Sequence, residues 1–124
     1  MEEFSIFDVA TDGDTTVVNV SGEVDMVTGP AFQRGLLNAI GVGRHGLIVD
    51  LSQATFLDST ALTSLVNAFD NLRRQGGGRL AIVAAEPRMR ALFDVARLDR
   101  DFRIYETRAD AVAAATQPEA GLAG

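Results

Sequence analysis

Residues 47–72 form the stretch LIVDLSQATFLDSTALTSLVNAFDNL, which carries the clearest pattern for predicting the fold class. It opens with a short, nearly all-apolar run, residues 47–51, which is typical of a central β-strand buried on both faces. Residues 52–57 are predicted to form a loop. Apolar side chains then recur at the spacing of one helical stripe, at Leu62, Leu65, Val66, Phe69 and Leu72. The stretch therefore predicts a buried strand followed by an amphipathic helix.

The same alternation continues in both directions along the chain. Two β-rich runs separated by a polar, glycine-containing turn predict an N-terminal hairpin. Residues 22–25 are predicted to turn the chain toward a helix near Pro30, capped by Thr28 or Gly29. The predicted strands cover residues 4–9, 15–21, 47–51, 79–84 and 102–105. A helix follows each strand from the second onward, so we expect an α/β fold whose strand–helix units pair in parallel.

Composition excludes several functional classes. The chain has 124 residues and no Cys, so one domain is expected and thiolate chemistry is excluded. It contains no Lys, which excludes Schiff-base chemistry, and a single His, which makes an ordinary metal centre improbable. The net charge of −6 argues against binding nucleic acid. We expect no metal and no cofactor, with one domain over residues 1–116 and a flexible tail over residues 117–124.

No membrane segment or export signal is expected. The longest apolar run, residues 80–85, is far shorter than the ~20 residues that a membrane-spanning helix needs. The N-terminal residues are acidic, whereas a signal peptide begins with positive charge. A cytoplasmic protein with no membrane partner is therefore predicted.

Parallel strands bring their carboxyl ends to one edge of the sheet, where function concentrates. We expect residues 22–28, 52–60 and 85–88 to meet there. Asp58 is predicted to cap the following helix by accepting from the N–H of Thr60 or Ala61. Ser59 then lies in the first turn with its hydroxyl near the surface, where a phosphate would change docking and leave the fold intact.

Three enzymatic or nucleotide-binding interpretations are weighed and disfavoured. A nucleophilic Ser59 would need His45 as its base, but His45 precedes the third strand, near the opposite end of the sheet. Residues 41–46 spell G-x-G-x-x-G, yet they follow a helix and precede a strand, which inverts the dinucleotide-binding context. Asp25 and Asp58 are a possible acid–base pair, but two caps on adjacent turns explain them better.

Four segments together resemble the bacterial anti-sigma factor antagonists, which are single STAS domains. They are residues 21–25 (SGEVD), 48–51 (IVDL), 56–62 (FLDSTAL) and 90–98 (RALFDVARL). The resemblance covers residues 4–115. It implies a STAS-like mixed sheet with an N-terminal antiparallel hairpin, parallel strand–helix units and four helices mainly on one side.

The resemblance also implies a function without catalysis. In that family an anti-sigma factor that is a serine kinase phosphorylates the serine matching Ser59. The unphosphorylated antagonist binds the anti-sigma factor and frees the sigma factor, whereas the phosphorylated antagonist dissociates. A PP2C-type serine phosphatase then restores the unphosphorylated form. The docking face is expected to include Gly22, Glu23, Asp25, Asp58, Thr60 and Ala61.

One departure from the family pattern leaves an alternative open. Ala61 and Thr63 stand where family members commonly have glycine, and they should stiffen this turn and add bulk. This favours a STAS interaction module that does not switch, either a signalling scaffold or a partner of a transport system. Thr60 carries a second hydroxyl, which is considered as an alternative or minor site for phosphorylation.

Overall fold

Five strands and four helices make up the part of the chain that the computed structural model describes, residues 6–12, 15–42, 46–74, 79–95 and 102–116. The strands are β1 (Ile6–Asp12), β2 (Thr15–Val24), β3 (Gly46–Leu57), β4 (Arg79–Val83) and β5 (Arg103–Tyr105). The helices are α1 (Gly29–Val42), α2 (Ser59–Arg74), α3 (Pro87–Val95) and α4 (Arg108–Thr116). This element order agrees with the order predicted from the sequence, and the tail at 117–124 lies outside the described residues.

The strands form one mixed sheet in the order β1-β2-β3-β4-β5. β1 pairs antiparallel with β2, from Ile6 opposite Ser21 to Asp12 opposite Thr15. The remaining neighbours pair in parallel. The antiparallel N-terminal pair and the parallel strand–helix units are thus both present, while turn residues 13–14 lie outside the described residues.

The two central strands run further than the sequence predicted. β3 continues to Leu57, so the predicted loop at residues 52–57 is wrong, and β2 continues through Gly22 to Val24 instead of turning there. The two extensions pair with each other, with Val24 opposite Leu57. The register shifts beside Gly22, which has a φ of 85° and thereby admits the irregularity. Pairing between the strands therefore continues past the residues that the sequence assigned to a turn and a loop.

The two faces of the sheet carry separate apolar clusters because side chains alternate along each strand. The larger cluster joins the sheet to α1, α2 and α3, with Phe32, Leu65 and Phe93 fully buried at its centre. The smaller cluster joins the other face to α4 through Ala111. Three helices therefore share one face, and α4 covers the opposite one. None of the described helices combines the length and apolar character that a membrane crossing requires.

A buried carboxylate ties α4 to the back of the sheet. Asp50 accepts from Nε of Arg108 at 3.0 Å and from the backbone N–H of Ser52 at 2.9 Å. Arg108 also donates to the side-chain oxygen of Asn19 on β2. Burial raises the pKa of Asp50, but the hydrogen bonds from Ser52 and Arg108 outweigh burial, so the pKa lies below its ordinary value of 3.8. The sequence analysis missed this pair, because Asp50 sits inside an apolar run.

Replacing Arg108 tests this tie. The stability that comes from a carboxylate with a lowered pKa is present above the unfolded-state pKa and is lost as the pH falls through the folded-state pKa. Arg108→Ala should therefore lower the free energy of unfolding by about 1–2 kcal/mol at neutral pH. The difference from wild type should shrink as the pH falls below 3.8. Urea denaturation across this pH range measures both effects.

Arg90 supplies a matched control for that experiment. Its ion pair with Glu106, at 3.1 Å, joins two exposed side chains. Arg90→Ala should cost less than about 0.5 kcal/mol, because water screens exposed pairs. Equal losses for the two arginine variants at neutral pH would contradict the structural role assigned to Asp50.

Candidate functional site

The ends of β2 and β3 bring two of the three predicted segments together. After the last pair of the register, Val24 opposite Leu57, the N–H of Asp58 donates to the carbonyl of Val24 at 3.1 Å. The turn before α1 and the first turn of α2 thus leave the sheet side by side. The third segment, residues 85–88, is exposed, and α3 approaches the start of α2 through residues further along the helix.

Asp58 caps α2 as the sequence predicted. Its Oδ1 accepts from the N–H of Thr60 at 2.9 Å and from the N–H of Ala61 at 3.2 Å, which satisfies two backbone donors at the helix start. Its carbonyl accepts from Leu62 at 3.2 Å and begins the helical ladder. Ser59 is the first residue of the helix, and its side chain is exposed.

Ser59 borders an apolar groove of about 310 Å³ between the start of α2 and the outer side of α3. Leu57 and Leu62 line it from one side, and Leu92 and Val95 line it from the other. Val95 is 83% exposed, although it is a large aliphatic residue. A hydroxyl that solvent can reach therefore sits beside an apolar surface that solvent can also reach.

Asp25 organises the turn on the other side of Ser59. Its Oδ1 accepts from the N–H of Thr28 at 3.1 Å and of Val27 at 2.9 Å. Its N–H donates to Oγ1 of Thr28 at 3.0 Å, and its carbonyl accepts from Gly29 at 2.6 Å. The hydrogen bond from the Thr28 N–H, aided by that from Val27, holds the pKa of Asp25 below its ordinary value. The turn projects Met26 and Val27 into solvent, 76% and 81% exposed.

A second groove, of about 640 Å³, lies between α1 and α2. Met26, Gly29 and Gln33 line it from the α1 side, and Thr60 and Ser64 line it from α2. The first turn of α2 thus separates two grooves, with exposed apolar side chains beyond each. These exposed apolar residues were not predicted from the sequence. The available signal was the apolar pair at residues 26–27, between the predicted turn and the predicted helix.

The side chains expected on the docking face do not all reach the surface. Glu23 is exposed, and Gly22, Asp25, Asp58 and Thr60 are partly exposed.

Ala61 is the exception, because it is fully buried in the larger apolar cluster. Its methyl group faces the sheet, so it packs in the core and cannot contact a partner. Placing the side chain of Ala61 on the docking face was wrong. Thr63, the other residue at a usual glycine position, is exposed.

Two acidic side chains of this region have structural roles. Asp25 and Asp58 each accept hydrogen bonds from backbone N–H groups, as the capping interpretation predicted.

Among the described residues, no group of three His, Cys, Asp or Glu side chains could hold a metal ion. His45 lies outside the described residues. The ends of the glycine motif at 41–46 fall in α1 and β3, so the motif does follow a helix and precede a strand.

Comparison with known proteins agrees with this architecture. The STAS domain model matches residues 7–111. The anti-sigma-F factor antagonist RsfB of Mycobacterium tuberculosis is 26% identical over 104 residues, which cover 84% of each chain. The anti-sigma-B factor antagonist of Bacillus subtilis is 30% identical over 91 residues, covering 73% of this chain and 82% of that one. A crystal structure of an anti-sigma factor antagonist from Mycobacterium paratuberculosis superposes with a TM-score of 0.83 at 32% identity, covering 91% of this chain and 95% of that chain.

The mixed sheet, its helices and the matched length define a STAS domain. Within that class, the chain belongs to the anti-sigma factor antagonist family. Proteins of this family are non-enzymatic regulators.

Two substitutions at Asp58 test the cap. Asp58→Ala should lower the free energy of unfolding by about 0.5–2 kcal/mol, because two backbone donors lose their acceptor. Asp58→Asn keeps an oxygen in the same place and should cost no more than about 0.5 kcal/mol. Chemical denaturation at neutral pH measures both, and an equal loss in the two variants would show that charge, and not capping, is what Asp58 contributes.

Proposed function

We propose that the protein switches partners in the cytoplasm through phosphorylation of Ser59. The unphosphorylated form binds an anti-sigma factor that is a serine kinase, and the sigma factor is released. Phosphorylation of Ser59 abolishes this binding, and a PP2C-type serine phosphatase reverses it. The observation that carries the proposal is the exposed Ser59 side chain at the start of α2, beside apolar surface that is open to solvent.

The exposed apolar residues supply the docking energy in this proposal. Burying apolar surface is worth about 25 cal/mol for each Å² removed from water. Met26, Val27 and Val95 are large aliphatic side chains that the isolated protein leaves in water. They lie on both sides of Ser59, so a partner that covers them also covers the hydroxyl. The names of the relatives, antagonists of anti-sigma factors, indicate the class of that partner.

The charge of the phosphate explains how phosphorylation of Ser59 dissociates the complex with the anti-sigma factor. A phosphoserine carries about −1.5 to −2 charges at neutral pH. The N–H groups of Thr60 and Ala61 already donate to Asp58, so they are not available as hydrogen-bond donors to a phosphate on Ser59. Enclosing that charge under a partner would cost several kcal/mol in lost hydration. The complex therefore loses stability, while in the free protein the phosphate stays in water.

The remaining docking residues shape the surface around Ser59. Glu23 presents an exposed carboxylate, and Asp25 holds the turn that carries the apolar pair. Gly22 permits the irregular strand end that positions both. Asp58 orients the first turn of α2, and partly exposed Thr60 flanks the serine.

Binding measurements on three variants test the switch. Ser59→Ala should bind the anti-sigma kinase like wild type but gain no mass after incubation with ATP. Ser59→Asp should bind at least about tenfold more weakly, although one carboxylate copies a phosphate poorly. Thr63→Ala removes another exposed hydroxyl of the same helix and should bind and be phosphorylated normally. Calorimetry and intact-mass analysis provide the two readouts.

Two outcomes would contradict the switch. The first is equal binding by the alanine and aspartate variants. The second is a wild-type protein that binds its partner and gains no phosphate, which would favour the non-switching STAS module, a signalling scaffold or transport-system partner.

The fold itself should tolerate the modification. Attraction to the helix N-terminus is worth about 0.3–1 kcal/mol, and repulsion from Asp58 opposes it. The melting temperature of the protein phosphorylated at Ser59 should therefore stay within roughly 5 °C of the unmodified protein. Calorimetry of both forms in one buffer checks this, and a melting temperature well below that range would show that phosphorylation acts by unfolding the helix start.

A further inference from the structure

Gly29, a residue without a side chain, lies in close contact with Thr60 where α1 and α2 begin. A Cβ atom added to Gly29 would lie 2.6 Å from Cγ2 of Thr60 and 3.6 Å from its Cβ. The first of these distances is far inside van der Waals contact, so the methyl group of Thr60 occupies the space that a side chain at residue 29 would need. Threonine is branched at Cβ and its χ1 rotation is restricted, so moving the methyl group aside requires a change of rotamer.

This contact joins the two halves of the proposed docking surface. Gly29 is bonded to the turn on one side, because its N–H donates to the carbonyl of Asp25. Thr60 directly follows Ser59 on the other side, and its N–H donates to Asp58. A shift at Gly29 would therefore move Met26 and its neighbours relative to Ser59.

Polar contacts along the same seam prevent the two helices from absorbing such a shift further along. Oε1 of Gln33, one turn after Gly29, accepts from Oγ of Ser64 at 3.2 Å and from Nδ2 of Asn67 at 3.3 Å. Ser64 also lies 3.1 Å from the carbonyl of Thr60, within donating distance. Because the second turns are held together, a side chain added at residue 29 would push the first turns of α1 and α2 apart. The proposed docking surface lies at these first turns.

We propose that Gly29 and Thr60 are a matched steric pair that positions the two halves of the docking surface for recognition by the anti-sigma kinase. Glycine opposite the threonine methyl group sets the spacing between the Met26–Val27 turn and Ser59. Both are positioning residues that act through the surface they align. This inference rests on the proposed function, and it makes the spacing a determinant of partner affinity.

The direct test introduces the wedge and then removes the atom that it meets. Gly29→Ala should raise the KM for phosphorylation of Ser59 and the Kd for the anti-sigma kinase by roughly tenfold, because misplacement of about 1 Å has effects of this order or larger. The kcat should change little, since Ser59 remains exposed. Adding Thr60→Ser to Gly29→Ala deletes Cγ2 and should restore both constants to within about threefold of wild type.

Two controls separate positioning from loss of stability. Thr63→Ser makes the same chemical change on the exposed side of α2 and should not rescue Gly29→Ala. Ile48→Val, in the cluster under α4 on the opposite face of the sheet, should lower the melting temperature without raising KM or Kd. Rescue by Thr63→Ser, or an equal rise in KM for Ile48→Val, would overturn the proposal.

A second comparison keeps the proposal testable if Gly29→Ala does not fold. Thr60→Val retains a branched side chain that fills the space beside Gly29, whereas Thr60→Ser does not. The serine variant alone should raise KM and Kd more than the valine variant does, because only valine keeps a methyl group in the space beside Gly29. Equal constants in the two variants would overturn the inference. Absence of phosphate on Ser59 in the wild-type protein would instead overturn the proposed function.

Discussion

The parallel pairing of β2 with β3 out to Val24 and Leu57 is the constraint on which the rest of this surface depends. It ends with the N–H of Asp58 donating to the carbonyl of Val24, so two chain segments leave the sheet at the same point. One segment becomes the turn before α1 and the other becomes the first turn of α2. Without this pairing, neither the apolar residues of the turn nor the contact of Gly29 with Thr60 would lie beside Ser59.

The two aspartates of the site accept hydrogen bonds from the backbone, whereas the side chain of Ser59 is exposed. Asp25 and Asp58 each accept hydrogen bonds that define a turn or a helix start, so their charges are part of the fold. Ser59 is exposed, and its surroundings are apolar. In the proposed switch, a phosphate on Ser59 would therefore change the charge of this exposed surface, while Asp25 and Asp58 keep their structural hydrogen bonds.

Local signals in the sequence predicted much of this arrangement. Asp58 before an apolar stripe indicated a capped helix, and the structure shows that cap with both expected donors. The stripe itself was slightly misplaced, because Ala61 and Ala68 face the core while Leu62 is only partly buried. Small residues carry little weight in an apolar pattern, although a close approach between a helix and a sheet requires them. Ala61 was expected on the docking face from the family resemblance, but it is buried in the core.

Element order, helix starts and family membership follow from the sequence alone, because they depend on the spacing of neighbouring residues and on short motifs. Features that join residues far apart in the chain are set by the folded arrangement. These include the extended ends of β2 and β3, the bond of Asp50 to Arg108 and the fit of Thr60 against Gly29. Strand pairing and close packing select such contacts in three dimensions, and no local propensity encodes which distant residues will meet.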